Sequence, residues 1–295
     1  MNFIKEAIKK SHAPSVSVVA ELNKVLKGFR PARGYTTIHA SDITNPTFCP
    51  REVALLDITK KPPKGQYIPT ALAVTFEMGK VVENLVRSEW LGGITFGDWK
   101  CLVCGKKYQN LYKPESCSSK DCDLKYVEPV FYSNTLGVSG SIDALMKLGP
   151  ASGKLTTVEI KTVAAEEFAK IEAPLSEHRL RTSLYLQIIE TSDHPLKHLI
   201  DTNAALILYV SRGHGKKNET HNEILPFKEF EIHRDDSSVG PYVNKALTLK
   251  KWRMAYIIPS GVCTSNVDSR MKSCPVAGEC TMGAYPSQTV FKKPQ

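Results

Sequence analysis

GVSGSIDALMKLGPASGKLTTVEIKTV, residues 137–163, holds two runs rich in strand-forming residues on either side of the turn text GPASG at 149–153. Gly and Pro supply the punctuation of a hairpin loop. Folding about Ala151 sets Asp143 roughly opposite Glu159, with the register free by a residue either way. Side chains alternate along a strand, so Glu159 and Lys161 share one face while Val158 and Ile160 take the other. Two carboxylates and an amine then converge on one patch. Like charges that close are costly unless a cation neutralises them. Carboxylate oxygens suit a hard ion, Mg²⁺ or Mn²⁺. Such an ion polarises a phosphodiester and lowers the pKa of bound water. Lys161 is placed to position that water or to stabilise developing charge. The acidic-x-Lys triplet alone says little, because Asp98-Trp-Lys100 and Asp123-Leu-Lys125 have the same form. The plain alternative is a surface hairpin with a cross-strand ion pair. What separates residues 143–161 is the second carboxylate across a turn.

Outward from the hairpin, the chain reads as alternating helices and strands, an α/β order rather than a sandwich. Helices are expected at about 2–10 and 15–28, the second ended by Gly28 and Pro31, and a short one follows Pro50 (REVALLDI). KPPKG at 61–65 is a break. A long helix from about 70 to 91 spaces Phe76, Met78, Val82, Leu85 and Val86 for a buried stripe. Strand-like runs are 128–136, 137–148, 155–163, 204–211 and 226–233, with helices at about 175–192 and 239–257. Between 95 and 127 the apolar pattern gives way to short, polar, cysteine-bearing text, which reads as an inserted module. The expected organisation is a basic helical arm (1–64), a core (65–94 and 128–258), the insertion (95–127) and a cysteine-bearing tail (259–295).

The eight cysteines split four and four. Cys101-x2-Cys104, twelve residues, then Cys117-x4-Cys122 is a compact set with knuckle spacing. Four thiolates on two turns suit tetrahedral Zn²⁺ in a closed structural site. The lysines and tyrosines around it (Lys106, Lys107, Lys113, Lys120, Tyr108, Tyr112) either face nucleic acid or form a solvated rim. Cys49, Cys263, Cys274 and Cys280 are dispersed, and dispersed cysteines are usually buried thiols. Yet Cys49-Pro50 and Cys274-Pro275 place proline after cysteine, a pairing also found at iron–sulfur ligands.

The 295 residues are 42% hydrophobic and 23% charged, which excludes a disordered chain and suffices for a core without disulfide staples. No apolar run nears the ~20 residues that span a bilayer. The N-terminal text lacks the continuous apolar region of a secretory signal. A cytoplasmic protein with no membrane partner is expected, and cysteines in a reducing compartment point to metal or catalysis rather than bridges. The net charge of +9 favours polyanionic partners. Residues 1–64 hold eleven Lys/Arg against five Asp/Glu, so +6 of it lies in the first fifth.

Asp143 in GSID followed by Glu159-Ile-Lys161 resembles the PD-(D/E)XK nuclease core, a mixed sheet flanked by helices. Gly79-Lys-Val-Val-Glu83 is similar to the Gly-x-x-x-His element of the RecB-like branch, with Glu83 in the histidine place as metal ligand or water contact; otherwise Glu83 is a plain helix carboxylate. HRLRTSLYLQ at 178–187 is similar to the Gln-x-x-x-Tyr helix of that branch. Tyr185 stands in the tyrosine place and Arg181 where glutamine is expected, a departure. Either Arg181 contacts a phosphate or Gln187 serves in a shifted register. One cysteine before the core and three after it is the layout of the iron–sulfur RecB-like nucleases, which include a CRISPR adaptation nuclease and the AddB subunit of recombination nucleases. SDITNPTFCPREVALLD resembles their first-cysteine segment. Cys263-x10-Cys274-x5-Cys280 resembles their tail triplet, with a longer first gap. The resemblance spans roughly 39–282 and implies a [4Fe-4S] cluster on Cys49, Cys263, Cys274 and Cys280 that clips the arm to the tail.

The resemblance further implies a Mg²⁺- or Mn²⁺-dependent deoxyribonuclease using Glu83, Asp143, Glu159, Lys161 and Tyr185, with exonuclease action on single-stranded DNA ends. No G-x-x-x-x-G-K-[ST] loop occurs, so unwinding falls to a separate helicase, recombination or CRISPR protein. The competing expectation is a non-catalytic DNA-binding scaffold or loading factor with an idle nuclease fold.

Overall fold

LTTVEIKTV (155–163) has six β-branched residues of nine, and they fall on both faces, which suits a strand covered on both sides rather than one. In the computed structural model, which describes residues 17–26, 28–30, 35–63, 65–117, 121–148, 153–213, 225–263 and 269–281, it is a strand flanked on both sides by others. In chain order the elements are α1 (Val18–Leu26), β1 (Gly28–Arg30), β2 (Ile38–His39), α2 (Ala40–Thr44), α3 (Pro50–Thr59), β3 (Gln66–Ile68) and α4 (Thr70–Asn84). They continue with β4 (Phe96–Cys101), β5 (Lys107–Tyr112), β6 (Leu124–Val127), β7 (Val130–Ser133), β8 (Val138–Ser141), β9 (Ala144–Met146) and β10 (Leu155–Val163). Then come α5 (Ala165–Lys170), α6 (Ser176–Glu190), β11 (Ile200–Ser211), β12 (Phe227–His233), α7 (Asp236–Ala255), α8 (Ser269–Ser273) and α9 (Ala277–Thr281). The class is mixed α/β. The expected helix at 2–10 and the loop residues 149–152 lie outside the described residues.

Two compact units divide the chain. The smaller is Met1–Arg33 with Pro63–Met78, in which β1 pairs antiparallel with β3. The larger is Gly34–Pro62 with Gly79–Gln295. The expected single arm 1–64 is therefore not one piece. Pairing of residues 28–30 with 66–68 ties its first part to text beyond the KPPKG break, while residues 34–62 belong to the larger unit.

In the larger unit the order β12-β11-β10-β9 makes a mixed sheet. β10 and β11 run parallel, and the edges are antiparallel. A parallel pair needs a crossover, here supplied by α5 and α6. A second sheet has the order β2-β8-β7 and a third, the insertion, β5-β4-β6. α6 lies against β11 as well as β7 and β8. That position explains why its apolar residues do not form a single stripe. Leu184, Leu186, Ile188 and Ile189 are all buried, as in a helix covered on more than one side. Each such side chain stabilises by about 1.5–3 kcal/mol relative to exposure.

Several boundaries differ from the sequence reading. The run 137–148 is broken at Ile142–Asp143, where the chain passes from β8 to β9. The α-helix that starts at Thr70 ends at Asn84 and continues as a π-helical segment, Leu85–Trp90. Of the expected stripe, Val86 is buried, but Phe76 and Met78 are exposed. Small residues take the inner positions instead: Ala73 and Gly79 are buried. A β-carbon on Gly79 would lie 3.4 Å from Thr162 Oγ1 on β10. Packing of the helix backbone on the Thr162 side chain, rather than interdigitating large apolar side chains, sets the contact there, and an apolar-spacing argument does not register it.

Candidate metal centres

The β9–β10 register pairs Met146 with Thr156, Leu145 with Thr157 and Ala144 with Val158. One further step along the same diagonal brings Asp143 level with Glu159, as folding about Ala151 predicts. Asp143 sits just outside β9, where the chain turns between sheets, and its Oδ2 accepts the Ile160 backbone N–H at 2.8 Å. The carboxylate is thereby fixed by the neighbouring strand's backbone. Lys161 Nζ lies 2.6 Å from Glu159 Oε1 and 3.6 Å from Asp143 Oδ2. All three groups meet on one face.

Glu159 is only 2% exposed. Burial, then the nearby Asp143 charge, pushes its carboxyl up to about 7. Its Oε2 is buried and accepts no hydrogen bond. Buried acceptors are rarely left bare, so this oxygen marks a place built for a cation or a solvent molecule. Lys161 is cationic here. Burial would lower its pKa, but Glu159 and Asp143 outweigh that and raise it.

Glu83 is one turn beyond Gly79, whose missing side chain lets this helix approach β10. Burial and Asp143 raise its pKa. Its carboxylate, that of Glu128 and that of Asp143 have oxygens within 4.8 Å of one another. Glu128 is the residue the sequence reading misses. It follows β6 directly and precedes Pro129, where the cysteine insertion rejoins the core. Its only signal is that junction. Arg87 is the second omission: nine-tenths buried, it donates from Nη1 to Glu128 Oε1 at 2.7 Å and to the Asp143 carbonyl at 3.0 Å. The π-helical segment aims it there, since one wide turn shifts the direction of every later side chain.

Tyr185 is buried on α6, and burial followed by the Glu159 and Asp143 charges keeps its phenol protonated. A β-carbon on Gly140 would come within 2.9 Å of the Tyr185 ring, so glycine in β8 makes that seat. Arg181, one helical turn earlier, acts electrostatically on Glu159, and its Nε is buried without a partner. Gln187 Oε1 is likewise buried without a partner.

The cysteines form two different arrangements. Cys101 closes β4, Cys104 follows in the turn, and Gly105 has φ +73°, a left-handed conformation that permits the tight bend. Cys117 Sγ lies 3.4 Å from Cys101 Sγ and 3.8 Å from Cys104 Sγ. Tetrahedral bonds of about 2.3 Å to one Zn²⁺ place sulfurs just under 4 Å apart, so these three fit a single ion. The Cys104 backbone N–H, among other groups, holds the Cys101 thiol down to about 6, which favours the thiolate that binds metal. Cys122 is half-buried against the same apolar cluster as Cys117.

Cys49 caps α3, with Pro50 at its first turn, and is buried. Cys274 and Cys280 pack on a cluster of Ala54, Leu55, Leu56, Trp252, Ile258 and Val276. Buried Arg51 donates from Nε to Cys280 Sγ at 3.1 Å and from Nη1 to the Pro259 carbonyl at 3.1 Å. Arg270 pairs with Glu52 at 2.6 Å and interacts electrostatically with both Cys49 and Cys274. Residues 47–61 and 259–280 are thus joined by several contacts. Cys263 is half-buried beside the undescribed residues 264–268. Among the described residues, these four sulfurs do not crowd within 4.8 Å as those of the knuckle do.

Among the described residues no helix is long and apolar enough to cross a membrane. No protein-family model matches the chain, and no curated protein does. A solved structure described as "Crystal structure of SSO0001" is 15% identical, with 91% of this chain and 95% of that one covered, at a TM-score of 0.38. At that similarity it carries no inference about this chain.

Proposed function

We propose that the chain is a metal-dependent deoxyribonuclease with a RecB-like, iron–sulfur PD-(D/E)XK core, acting as an exonuclease on single-stranded DNA ends. The observation that carries this reading is the buried convergence of Asp143, Glu159 and Lys161, with Glu159 Oε2 lacking any hydrogen-bond donor. Glu83, Glu128, Asp143 and Glu159 would hold Mg²⁺ or Mn²⁺. The bound ion would polarise the phosphodiester and lower the pKa of bound water.

The chain's own groups divide the remaining work. Lys161, held cationic between two carboxylates, faces charge that develops on the phosphate and cannot serve as the base. Arg87 and the Ile160 amide fix the Glu128 and Asp143 oxygens, so little reorganisation is needed during reaction. Tyr185, neutral and packed on Gly140, walls the site. Arg181 offers an unpartnered donor for a phosphate oxygen. Zn²⁺ on Cys101, Cys104, Cys117 and Cys122 would staple the insertion, and a [4Fe-4S] cluster on Cys49, Cys263, Cys274 and Cys280 would hold the tail to residues 49–59.

The test is Mg²⁺- or Mn²⁺-dependent nucleotide release from end-labelled single-stranded DNA by anaerobically purified protein. Asp143→Ala should lower it about 10³-fold, the equivalent of ~4 kcal/mol of barrier. Iron and zinc are measured on the same preparation, with about four irons per zinc expected. Wild-type protein that binds DNA with its metals in place and cuts nothing would make the fold an idle scaffold. Two zincs and no iron would reassign the second cysteine set to zinc.

A further inference from the structure

The inserted sheet carries a feature that zinc binding does not explain. Lys100 in β4 is directly opposite Lys107 in β5 and directly opposite Lys125 in β6. Residues opposite each other share a face, so three lysines form one row across all three strands, with strands about 4.8 Å apart. Like charges in cross-strand pairs are destabilising. The Lys125 charge is met by Glu89 at 2.7 Å and Asp123 at 3.0 Å. Lys100 and Lys107 are exposed and have no acidic partner among the described residues.

The rest of that face is informative. Phe96 and Tyr112 are also cross-strand partners, and their rings meet edge to face at 5.4 Å. Asp98 lies between the aromatic pair and the lysine row, its Oδ1 occupied by the Asn110 backbone N–H at 3.0 Å. The opposite face is the apolar one, with Trp99, Leu124 and Tyr126 buried. β6 leads straight into Glu128 of the carboxylate cluster, so Lys125 is three residues, roughly 10 Å of extended chain, from that cluster.

We infer that this outer face is a single-stranded DNA guide, in which Lys100 and Lys107 contact phosphates and the exposed Tyr112 ring, braced by half-buried Phe96, offers a surface for a base. Cations tracking a backbone beside aromatic rings are the combination that binds single strands without sequence preference. Mutual repulsion within the row costs stability in the free protein and is relieved when phosphates enter. The inference rests on the nuclease reading for the strand's destination, not for its binding.

The experiment therefore measures binding alone. Asp143→Ala protein, which keeps the guide, is titrated against 5′-labelled oligothymidylate by fluorescence anisotropy across a salt series. Adding Lys100→Gln and Lys107→Gln should weaken binding about tenfold or more at low salt. The slope of log K against log salt should fall by about 1.4, since each phosphate contact on a single strand contributes about 0.7. On the same proteins, zinc content should stay unchanged and the melting temperature should hold or rise slightly, because both side chains are exposed and their mutual repulsion is removed. Lys60→Gln with Lys251→Gln, an exposed pair elsewhere, removes the same charge and should leave the slope in place. Unchanged affinity and slope in the Lys100/Lys107 variant, or an equal loss in the control pair, overturns the inference. Failure of cleavage in wild-type protein with binding intact would sink the nuclease reading and leave the guide standing.

Discussion

The cysteine knuckle and the carboxylate centre are built by opposite strategies. Cys101, Cys104 and Cys117 come from one short stretch of chain, joined to a three-stranded sheet of its own. The carboxylate centre draws on Glu83 from a helix, Glu128 and Asp143 from the connections beside β6 and β9, and Glu159 and Lys161 from β10. A local site can form from its own turns, but the loops that carry Cys104 and Cys117 depend on their metal, even though the inner face of the sheet (Trp99, Leu124, Tyr126) is buried in one apolar cluster with Ala144, Met146, Val158 and Ile160. The dispersed site is positioned by the core and persists whether or not an ion is bound. One site should therefore collapse when its metal is withdrawn, and the other should only become strained.

The largest expected effect tests the first half of that contrast. Cys101→Ser, or prolonged zinc chelation, should unfold β4–β6 while the β9–β12 sheet survives. Structural zinc contributes apparent free energies of about 10–16 kcal/mol in small peptides, so its loss should outweigh the packing of the sheet's inner face on Ala144, Met146, Val158 and Ile160. Hydrogen exchange is the measurement: amides of Phe96–Cys101 should lose protection, and those of Leu155–Val163 should keep it. Equal protection in both regions without zinc would break the contrast.

Legibility in sequence follows the same division. Knuckle spacing is a local pattern, readable without any knowledge of the fold. The Asp143–Glu159 match is readable because a hairpin is symmetric about its turn, so one correct pivot at Ala151 fixes the register of both strands. Glu128 is not readable, because its place depends on where the insertion rejoins the core. Arg87 is hidden for another reason: a π-helical segment changes the angular spacing on which helix-face arguments rest. The unburied Phe76 and Met78 show the converse error, where apolar spacing suggests a face that small residues occupy instead. The broken strand 137–148 belongs with these. Asp143 is placed by the interruption, which a run of strand-forming residues conceals.

An intermediate effect tests the strain in the carboxylate centre. The carboxyl of Glu159 is raised to about 7 from an ordinary 4.5. The folded chain therefore binds that proton more tightly than the unfolded one, and stability falls as pH rises. The contribution is fully present below about 4.5 and is lost as pH passes through about 7. Metal-depleted protein should show this decline in thermal melting temperature between pH 4.5 and pH 7. Glu159→Gln, which cannot ionise, should flatten it, and Mn²⁺ should restore wild-type stability at pH 7.5 but not that of the variant. A wild-type profile that is level across this window would mean the centre stores no such strain.

His178 should produce the smallest effect, and one of opposite sign. Its ring nitrogen Nδ1 lies 2.8 Å from the Tyr209 hydroxyl, beneath α6 and beside β11. Burial, then the positive charge of Lys161, lowers its pKa to about 4, with Arg181 acting the same way and exposed Glu177 opposing. The unfolded chain takes up this proton first, near 6.5, so the stability His178 contributes is present above that pH and lost as pH falls toward 4. His178→Gln keeps a polar partner for Tyr209 but does not titrate, and should reduce the acid-side loss between pH 6.5 and pH 4. Because Lys161 is one cause of the His178 shift and a neighbour of Glu159, the double variant His178→Gln/Lys161→Met is informative. Without the lysine, the Glu159 decline should steepen, since a cation that favours its ionised form is gone. That coupling through one amine, measured as non-additive melting shifts, would identify the centre as a single electrostatic unit rather than a set of separately buried residues.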